Sequence, residues 1–187
     1  TLRRCQFTAN IGAGQGGAAF LFAYAPDNVV VEACVFTKNQ VVPDAKGDAL
    51  GGALRMGNAA FVIRDSAFIE NQAGQQGGGL WIGETSPGSV INCTFAGNQA
   101  GQGGALLGVT KSPVTVEHCS FSGNKGGSAE GTNVTKRECL ESGTTALVLG
   151  PDDVPYLKDQ ATGARPELAT SVATAKTAKP KAGEGGK

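Results

Sequence analysis

The sequence predicts an all-β protein, a single chain wound as a right-handed parallel β-helix (a solenoid) of about five coils. A frame of apolar-x-apolar-x-x-Cys-x-Phe-x-x-Asn is complete at residues 114–124 and recurs, whole or in part, at earlier positions. A Gly-Gly step follows the Asn of each frame. Successive frame phenylalanines lie 29, 32, 27 and 26 residues apart, which suits one coil of a β-helix. The right hand is expected because parallel crossover connections almost always have it.

The frame also predicts the path of each coil. Alternating apolar residues indicate a strand with one buried face, and the two residues before the Cys break the alternation, so the chain bends there. The Cys-x-Phe pair predicts a second short strand, and the Asn predicts a tight turn because Asn bonds nearby backbone and tolerates positive φ. The Gly-Gly step lets neighbouring backbones approach closely. Stacked coils then form a buried phenylalanine ladder and a corner asparagine ladder: Phe7, Phe36, Phe68, Phe95, Phe121, and Asn10, Asn39, Asn71, Asn98, Asn124.

Two further columns of the frame bear on packing. A small inward column contains Cys5, Cys34, Ser66, Cys93 and Cys119. Ser66 shows that this column needs only a small residue, which favours free, buried thiols. Disulfides between neighbouring coils are the alternative. At the bend, Arg3, Glu32 and Arg64 alternate in sign and predict an exposed charge ladder.

The residues over which the repeat frame recurs define the predicted domains. Residues 1–133 are predicted to form the repeats, and residues 134–160 a degenerate last coil that caps the stack. In this coil Lys136 replaces the buried aliphatic residue and Glu141 replaces the Phe, while residues 144–149 form a last strand closed by Gly150-Pro151. Residues 161–187 are rich in Ala, Thr, Lys and Gly and are predicted to be a disordered tail. Because the chain begins within a repeat and without Met, we expect it to belong to a longer chain or a larger assembly.

Composition argues against several classes of partner. The 187 residues carry a formal net charge of zero, so electrostatics gives no reason to expect nucleic acid or an anionic membrane. No apolar run is long enough for a transmembrane helix. No Cys-x-x-Cys pair or Cys/His cluster indicates a metal, no cofactor is expected, and the single histidine, His118, is predicted at the surface.

The main candidate site is a row that follows the Gly-Gly steps. When the coils are aligned on these steps, one column of residues is predicted to point inward: Ala19, Leu54, Leu80 and Leu106. The next residues are then predicted to form one exposed row: Phe20, Arg55, Trp81 and Leu107. The residues before the inward column are small and are predicted to make a flat outer strip: Ala18, Ala53, Gly79 and Ala105. Aromatic side chains on a flat strip suit a glycan or a partner protein, unless the tail or another domain covers them.

A second candidate is the longest connection, residues 40–50, which contains Asp44, Lys46 and Asp48. Insertions in a solenoid often lie on its working face. The alternative is a tolerated surface insertion, because loop length costs little free energy.

The repeats resemble those of polymorphic outer membrane proteins, known from chlamydial autotransporter passengers, and more broadly the pectin-lyase-like superfamily. The resemblance rests on Phe-x-x-Asn followed by Gly-Gly-Ala, as in residues 7–10 with 16–18, 36–39 with 51–53, and 95–98 with 103–105. Residues 68–71 are followed by Gly78-Gly79-Leu80, and residues 121–124 match more weakly. The resemblance implies a secreted or surface-exposed, adhesin-like protein.

The sequence therefore predicts a non-catalytic, extracellular or cell-surface β-helix module with an adhesin-like, scaffold or assembly role. Its partner would be a protein or a glycan. The alternative is a carbohydrate-active enzyme, a polysaccharide lyase or glycoside hydrolase, since such enzymes share this fold. Catalysis is not expected because no two carboxylates stand in matched columns, as a glycosidase requires.

Overall fold

The computed structural model describes residues 1–142, 145–149 and 153–159, and the regular secondary structure of this range consists almost entirely of short strands. The first three coils contain β1 (Leu2–Arg3), β2 (Gln6–Thr8), β3 (Ile11–Gln15) and β4 (Ala19–Phe22); β5 (Asn28–Glu32), β6 (Val35–Thr37), β7 (Gln40–Val42), β8 (Ala49–Leu50) and β9 (Leu54–Gly57); and β10 (Ala60–Arg64), β11 (Ala67–Ile69), β12 (Gln72–Ala73) and β13 (Leu80–Gly83). The remaining strands are β14 (Gly88–Ile91), β15 (Thr94–Ala96), β16 (Leu106–Gly108), β17 (Val114–Glu117), β18 (Ser120–Ser122), β19 (Ala129–Glu130), β20 (Val134–Arg137), β21 (Leu140–Ser142), β22 (Thr145–Leu149) and β23 (Pro155–Asp159).

Equivalent strands of successive coils pair in parallel and form four sheets along the stack. Sheet 1 has the order β1-β5-β10-β14-β17-β20, and sheet 2 has the order β2-β6-β11-β15-β18-β21. Sheet 3 is β12-β7-β3-β8, and sheet 4 is β19-β16-β13-β9-β4. The register aligns the frames, so that Phe36 pairs with Phe7 on one side and Phe68 on the other. The predicted fold, a parallel β-helix, is confirmed.

The phenylalanine ladder fills the interior behind sheet 2. Neighbouring rings stack nearly parallel, with centroids 4.8 to 5.2 Å apart. This spacing is the distance between strands in a sheet, so the backbone dictates it. Phe36, Phe68 and Phe95 are fully buried, and the predicted inward residues Leu54, Leu80 and Leu106 belong to the same core.

The asparagine ladder runs the length of the repeats. In each rung one Oδ1 accepts both the side-chain and the backbone N–H of the Asn in the preceding coil; Asn39 donates to Asn71 at 2.9 Å with both groups. The second side-chain N–H of Asn71 donates to the carbonyl of Phe36. Every polar atom of a middle rung is thus paired, although these side chains are buried.

The structure corrects the backbone role assigned to these asparagines. Positive φ occurs one residue earlier, at Ala9, Lys38, Glu70, Gly97 and Gly123. A second series of positive φ values occurs at the bend before the Cys column, for example at Asp65 with φ of 51°. The asparagine is therefore required for its side-chain hydrogen bonds rather than for tolerance of an unusual backbone conformation.

The other predicted columns are also in register. All five cysteines are free thiols; Cys34, Cys93 and Cys119 are buried, whereas Cys5 and Cys139 are half-buried. In the charge ladder, Glu32 lies between Arg3 at 2.7 Å and Arg64 at 2.8 Å. At the Gly-Gly steps, a Cβ added to Gly52 would collide with the carbonyl oxygen of Gly78, which confirms the close approach of the backbones.

The C-terminal region only partly follows its prediction. Strands β20 and β21 extend sheets 1 and 2, with Lys136 aligned to Val116 and Glu141 aligned to Phe121. Lys136 and Glu141 form an ion pair at positions that align with apolar residues of the preceding coil.

The predicted last strand does not stack on that coil. Strand β22 pairs antiparallel with β23, and β23 contacts β15 and β18 of sheet 2. Val154 packs with Ala67 and Ile69, whose side chains face outward on either side of the inward Phe68. The hairpin therefore covers a side of the solenoid, where Val154 packs on an apolar outer patch of sheet 2. Thr144, Gly150-Pro151 and residues 161–187 lie outside the described residues.

Phe68→Ala is expected to lower the free energy of unfolding by about 3–5 kcal/mol, because it leaves a cavity between two stacked rings. Denaturant unfolding monitored by circular dichroism measures this loss. Phe20→Ala, at an exposed position, is the control and should change stability far less. A loss below about 1 kcal/mol for Phe68→Ala would contradict its place in the ladder.

Asn71→Leu tests the second ladder. It leaves the buried Asn39 backbone N–H and one Asn39 side-chain N–H without an acceptor and removes one donor to the Phe36 carbonyl, at about 1–3 kcal/mol for each unpaired group. We expect a loss of about 3 kcal/mol or more in the same unfolding measurement. Asn10→Leu, at the exposed first rung, is the matched control. Equal losses for the two variants would show that the hydrogen bonds of the middle rungs contribute little.

Candidate functional site

The four residues of the predicted row align with one another on the outer side of sheet 4. Arg55 pairs in register with Phe20 on one side and with Trp81 on the other, and Trp81 pairs with Leu107. Its predicted exposure is wrong for three of the four residues. Phe20 is 45% exposed, but Arg55, Trp81 and Leu107 are 5%, 7% and 1% exposed.

The row is buried because its side chains lie over one another along the sheet. The Arg55 guanidinium lies 4.2 Å from the centre of the Phe20 ring and 4.7 Å from that of Trp81. Arg55 also forms an ion pair with Glu84, and the Trp81 indole N–H donates to Gln76 Oε1 at 3.0 Å. These contacts form a cation–π sandwich that keeps a charged group out of water.

Two glycines make this arrangement possible. The Trp81 ring lies where a Cβ of Gly83 would project, and Arg55 Nη1 lies 2.7 Å from the corresponding position of Gly57. Both glycines stand two residues beyond the side chain that they accommodate, on the same face of the strand. A large residue at either position would force the row outward.

The predicted flat outer strip is also wrong. Ala53 and Ala105 are fully buried in the core, and a Cβ on Gly79 would lie 3.2 Å from the Phe95 ring. These residues precede strands β9, β13 and β16, so they still belong to the turn and not to the alternating strand. Strand alternation cannot be extended back through a turn.

The exposed surface of this region lies instead on one strand and its extension. Phe20, Phe22 and Tyr24, here called the aromatic row, are 45%, 45% and 70% exposed. Their rings contact edge to face, with centroids 5.8 and 5.2 Å apart. Sequence reasoning found Phe20 and missed Phe22 and Tyr24. The signal was present, since aromatics at i, i+2 and i+4 predict one face of a strand.

A groove, here called the notch, adjoins the aromatic row at Tyr24. Its volume is about 470 Å³, and its lining includes Tyr24, Pro26, Asp27, Asn28, Asn58, Ala60, Thr85 and Pro87. The notch exists because the connections from sheet 4 to sheet 1 differ in length. Residues 58–59 make a short connection between two longer ones, 23–27 and 84–87.

The notch offers polar groups that the described protein leaves unused. Within the described residues, no hydrogen bond or ion pair involves the side chains of Asp27, Asn28 or Thr85. Asn58 Nδ2 donates only to the Ala23 carbonyl, at 3.4 Å, the long limit for such a bond. The described lining contains no lysine or arginine.

The second candidate, the connection 40–50, is an ordered turn. Strands β7 and β8 both pair with β3, so residues 43–48 project between them. Asp44 Oδ1 accepts the backbone N–H groups of Lys46 and Asp48 at 2.8 and 3.0 Å. This carboxylate therefore holds the turn together. A binding role for Asp44, Lys46 and Asp48 stays a prediction.

Other reactive groups lie away from the notch. His118 Nδ1 lies 3.3 Å from Glu138 at the bend of the fifth coil. A hydrogen bond from Cys119 lowers the pKa of Cys139 to about 6, while burial raises the pKa of Cys119. Among the described residues, no group of three or more His, Cys, Asp or Glu side chains is placed to hold a metal ion.

The chain matches the model of a known protein family. The family described as right handed beta helix region matches residues 1–139, well over half of the chain, and confirms the predicted hand. No curated protein and no solved structure matches. In the described part of the chain, no helix has the length and apolar character needed to cross a bilayer.

Trp81→Ala is expected to lower the free energy of unfolding by about 3 kcal/mol, because the ring is buried against Arg55 and Gly83. Thermal and denaturant unfolding measure the change. Phe20→Ala removes the other, exposed ring of the sandwich and should cost about 1 kcal/mol. Equal costs for the two substitutions would show that burial of Trp81 adds nothing.

Proposed function

This chain belongs to the right-handed β-helix family, and we propose that it is a non-catalytic binding module that works outside the cell or at its surface. Its role is adhesin-like, as a scaffold or in assembly, and its partner is a protein or a glycan. The Phe-x-x-Asn and Gly-Gly-Ala motifs support an assignment of its repeats to the polymorphic outer membrane protein type.

The aromatic row is the observation that carries this proposal. It places three aromatic side chains on the outside of a fold whose frame phenylalanines stack within its core. Clustered exposed aromatics indicate an interaction surface, and aromatic residues are enriched at the centres of interfaces. In the following coils the positions that match Phe22 are Gly57 and Gly83, and the space above them is filled by Arg55 and Trp81.

The row is also held in place before any partner binds. Phe20 stacks on the buried Arg55, and the three rings support one another edge to face. Side chains already fixed in position lose less conformational entropy on binding. A flexible loop carrying the same residues would bind more weakly.

Three of the described carboxylates have structural partners, which supports a non-catalytic role. Asp44 holds a turn, Glu84 pairs with Arg55, and Glu32 lies between two arginines. Burial would raise the pKa of Glu32, but hydrogen bonds and charges from Arg3 and Arg64 outweigh it and lower that pKa. A glycosidase requires a general acid with a raised pKa and a second carboxylate nearby.

The binding role is tested by measuring retention of the fluorescently labelled chain on immobilised supports. The supports are cellulose, chitin, collagen, fibronectin and a second copy of the chain. We expect retention on at least one support, reduced about tenfold or more by Phe20→Ala/Phe22→Ala, because interface aromatics carry much of the binding energy. Gln72→Ala, on an exposed site of sheet 3, is the control. No retention, or retention that survives the double substitution, would contradict the proposal.

A turnover assay tests the non-catalytic role separately. Incubation with neutral and uronic-acid polysaccharides, with and without calcium, should release no new reducing or unsaturated ends. Sustained release from any of them would overturn the proposal in favour of a carbohydrate-active enzyme.

A further inference from the structure

We propose that the notch is a subsite for one uncharged pyranose ring of a glycan, stacked on Tyr24 and hydrogen-bonded by Asn28, Asn58 and Asp27. The inference rests on the proposed binding function and narrows the class of ligand at this end of the aromatic row. It assigns no role to Phe20 or Phe22.

The shape of the notch is fixed by the backbone. Asn28 and Ala60 pair in register, and the Phe61 backbone N–H donates to the carbonyl of Pro87 at 3.0 Å. The sheet pairing thus sets the separation of the two long connections, while the short connection between them leaves the gap. Its volume of about 470 Å³ falls within the range of small-molecule sites.

The lining has the two kinds of surface that a sugar ring requires. A pyranose has a face of C–H bonds and a rim of hydroxyl groups. Tyr24 is 70% exposed and offers an aromatic face to the C–H bonds. Asn28 and Asn58 each offer an amide donor and acceptor, and Asp27 offers two acceptor oxygens. Because Asp27 and Asn28 have no described partner, a ligand would displace only water from them.

Charge selects against acidic sugars. The described lining contains Asp27 but no lysine or arginine. The guanidinium of Arg55, which stacks on Phe20, is buried and paired with Glu84, so it is not available to a carboxylate. A uronate in the notch would meet Asp27 without a compensating cation, and like charges in a partly desolvated site repel. The notch therefore suits a neutral sugar.

Calorimetric and nuclear magnetic resonance titrations of the full chain test the inference. The probes are hexamers of glucose, mannose, galactose, xylose and N-acetylglucosamine, with hexagalacturonate as the acidic comparison. We expect at least one neutral hexamer to bind more tightly than hexagalacturonate. Asn28→Ala and Asn58→Gly should each weaken that binding about three- to tenfold, the value of a hydrogen bond between neutral groups.

The substitutions are chosen to preserve the fold. Glycine replaces Asn58 because that residue has φ of 52°. Asp27→Asn should reduce the ratio of the affinities for neutral and acidic hexamers at least threefold. Gln72→Ala should leave both affinities unchanged. The inference fails if no neutral hexamer binds at 10 mM, if hexagalacturonate binds best, or if the Asn28 and Asn58 variants bind like the parent.

The outcomes separate this inference from the proposed function. If Phe20→Ala/Phe22→Ala abolishes retention on a support but no hexamer binds, the notch proposal falls and the aromatic row keeps its role. If hexamers bind through Asn28 and Asn58 while the double variant is retained like the parent, the role of the aromatic row falls and the notch proposal stands.

Discussion

The structure depends on one constraint, the exact alignment of each coil with the next, and the asparagine ladder enforces it. A middle rung such as Asn71 pairs all of its side-chain hydrogen-bonding atoms with neighbouring coils. A coil displaced by one residue would leave these buried groups unpaired. The same alignment fixes the ring stacking and brings Phe20, Arg55 and Trp81 side by side, although 61 residues separate the first from the last.

Sequence reasoning recovered what repeats in every coil. The ladders, the inward leucines and the charge ladder follow from one frame, because a strand has a fixed side-chain period and a fixed spacing from its neighbour. It failed where side chains from different coils cover one another. The pattern placed Trp81 and Arg55 on the outer side of sheet 4, but their burial depends on the space above Gly83 and Gly57. The position of the hairpin likewise depends on contacts with residues distant in the sequence, Ala67 and Ile69 of sheet 2.

The candidate site combines regular and irregular parts of the fold. The aromatic row lies on strand β4 and its extension, where alternation makes its direction predictable. The notch arises from connections of unequal length, and their effect is visible only when three coils are compared in space. Tyr24 belongs to both. The solenoid thus supplies a rigid base, while the connections shape the surface that we propose binds the ligand.

The unequal connections have a consequence for how such a protein can diversify. An insertion or deletion within the frame shifts a strand and breaks two ladders at once, so selection would remove it. A change of length at residues 58–59 or 84–87 leaves every rung in place, because these connections lie outside the frame. The shape of the proposed ligand site can therefore change through connection length with little effect on the ladders that stabilise the fold.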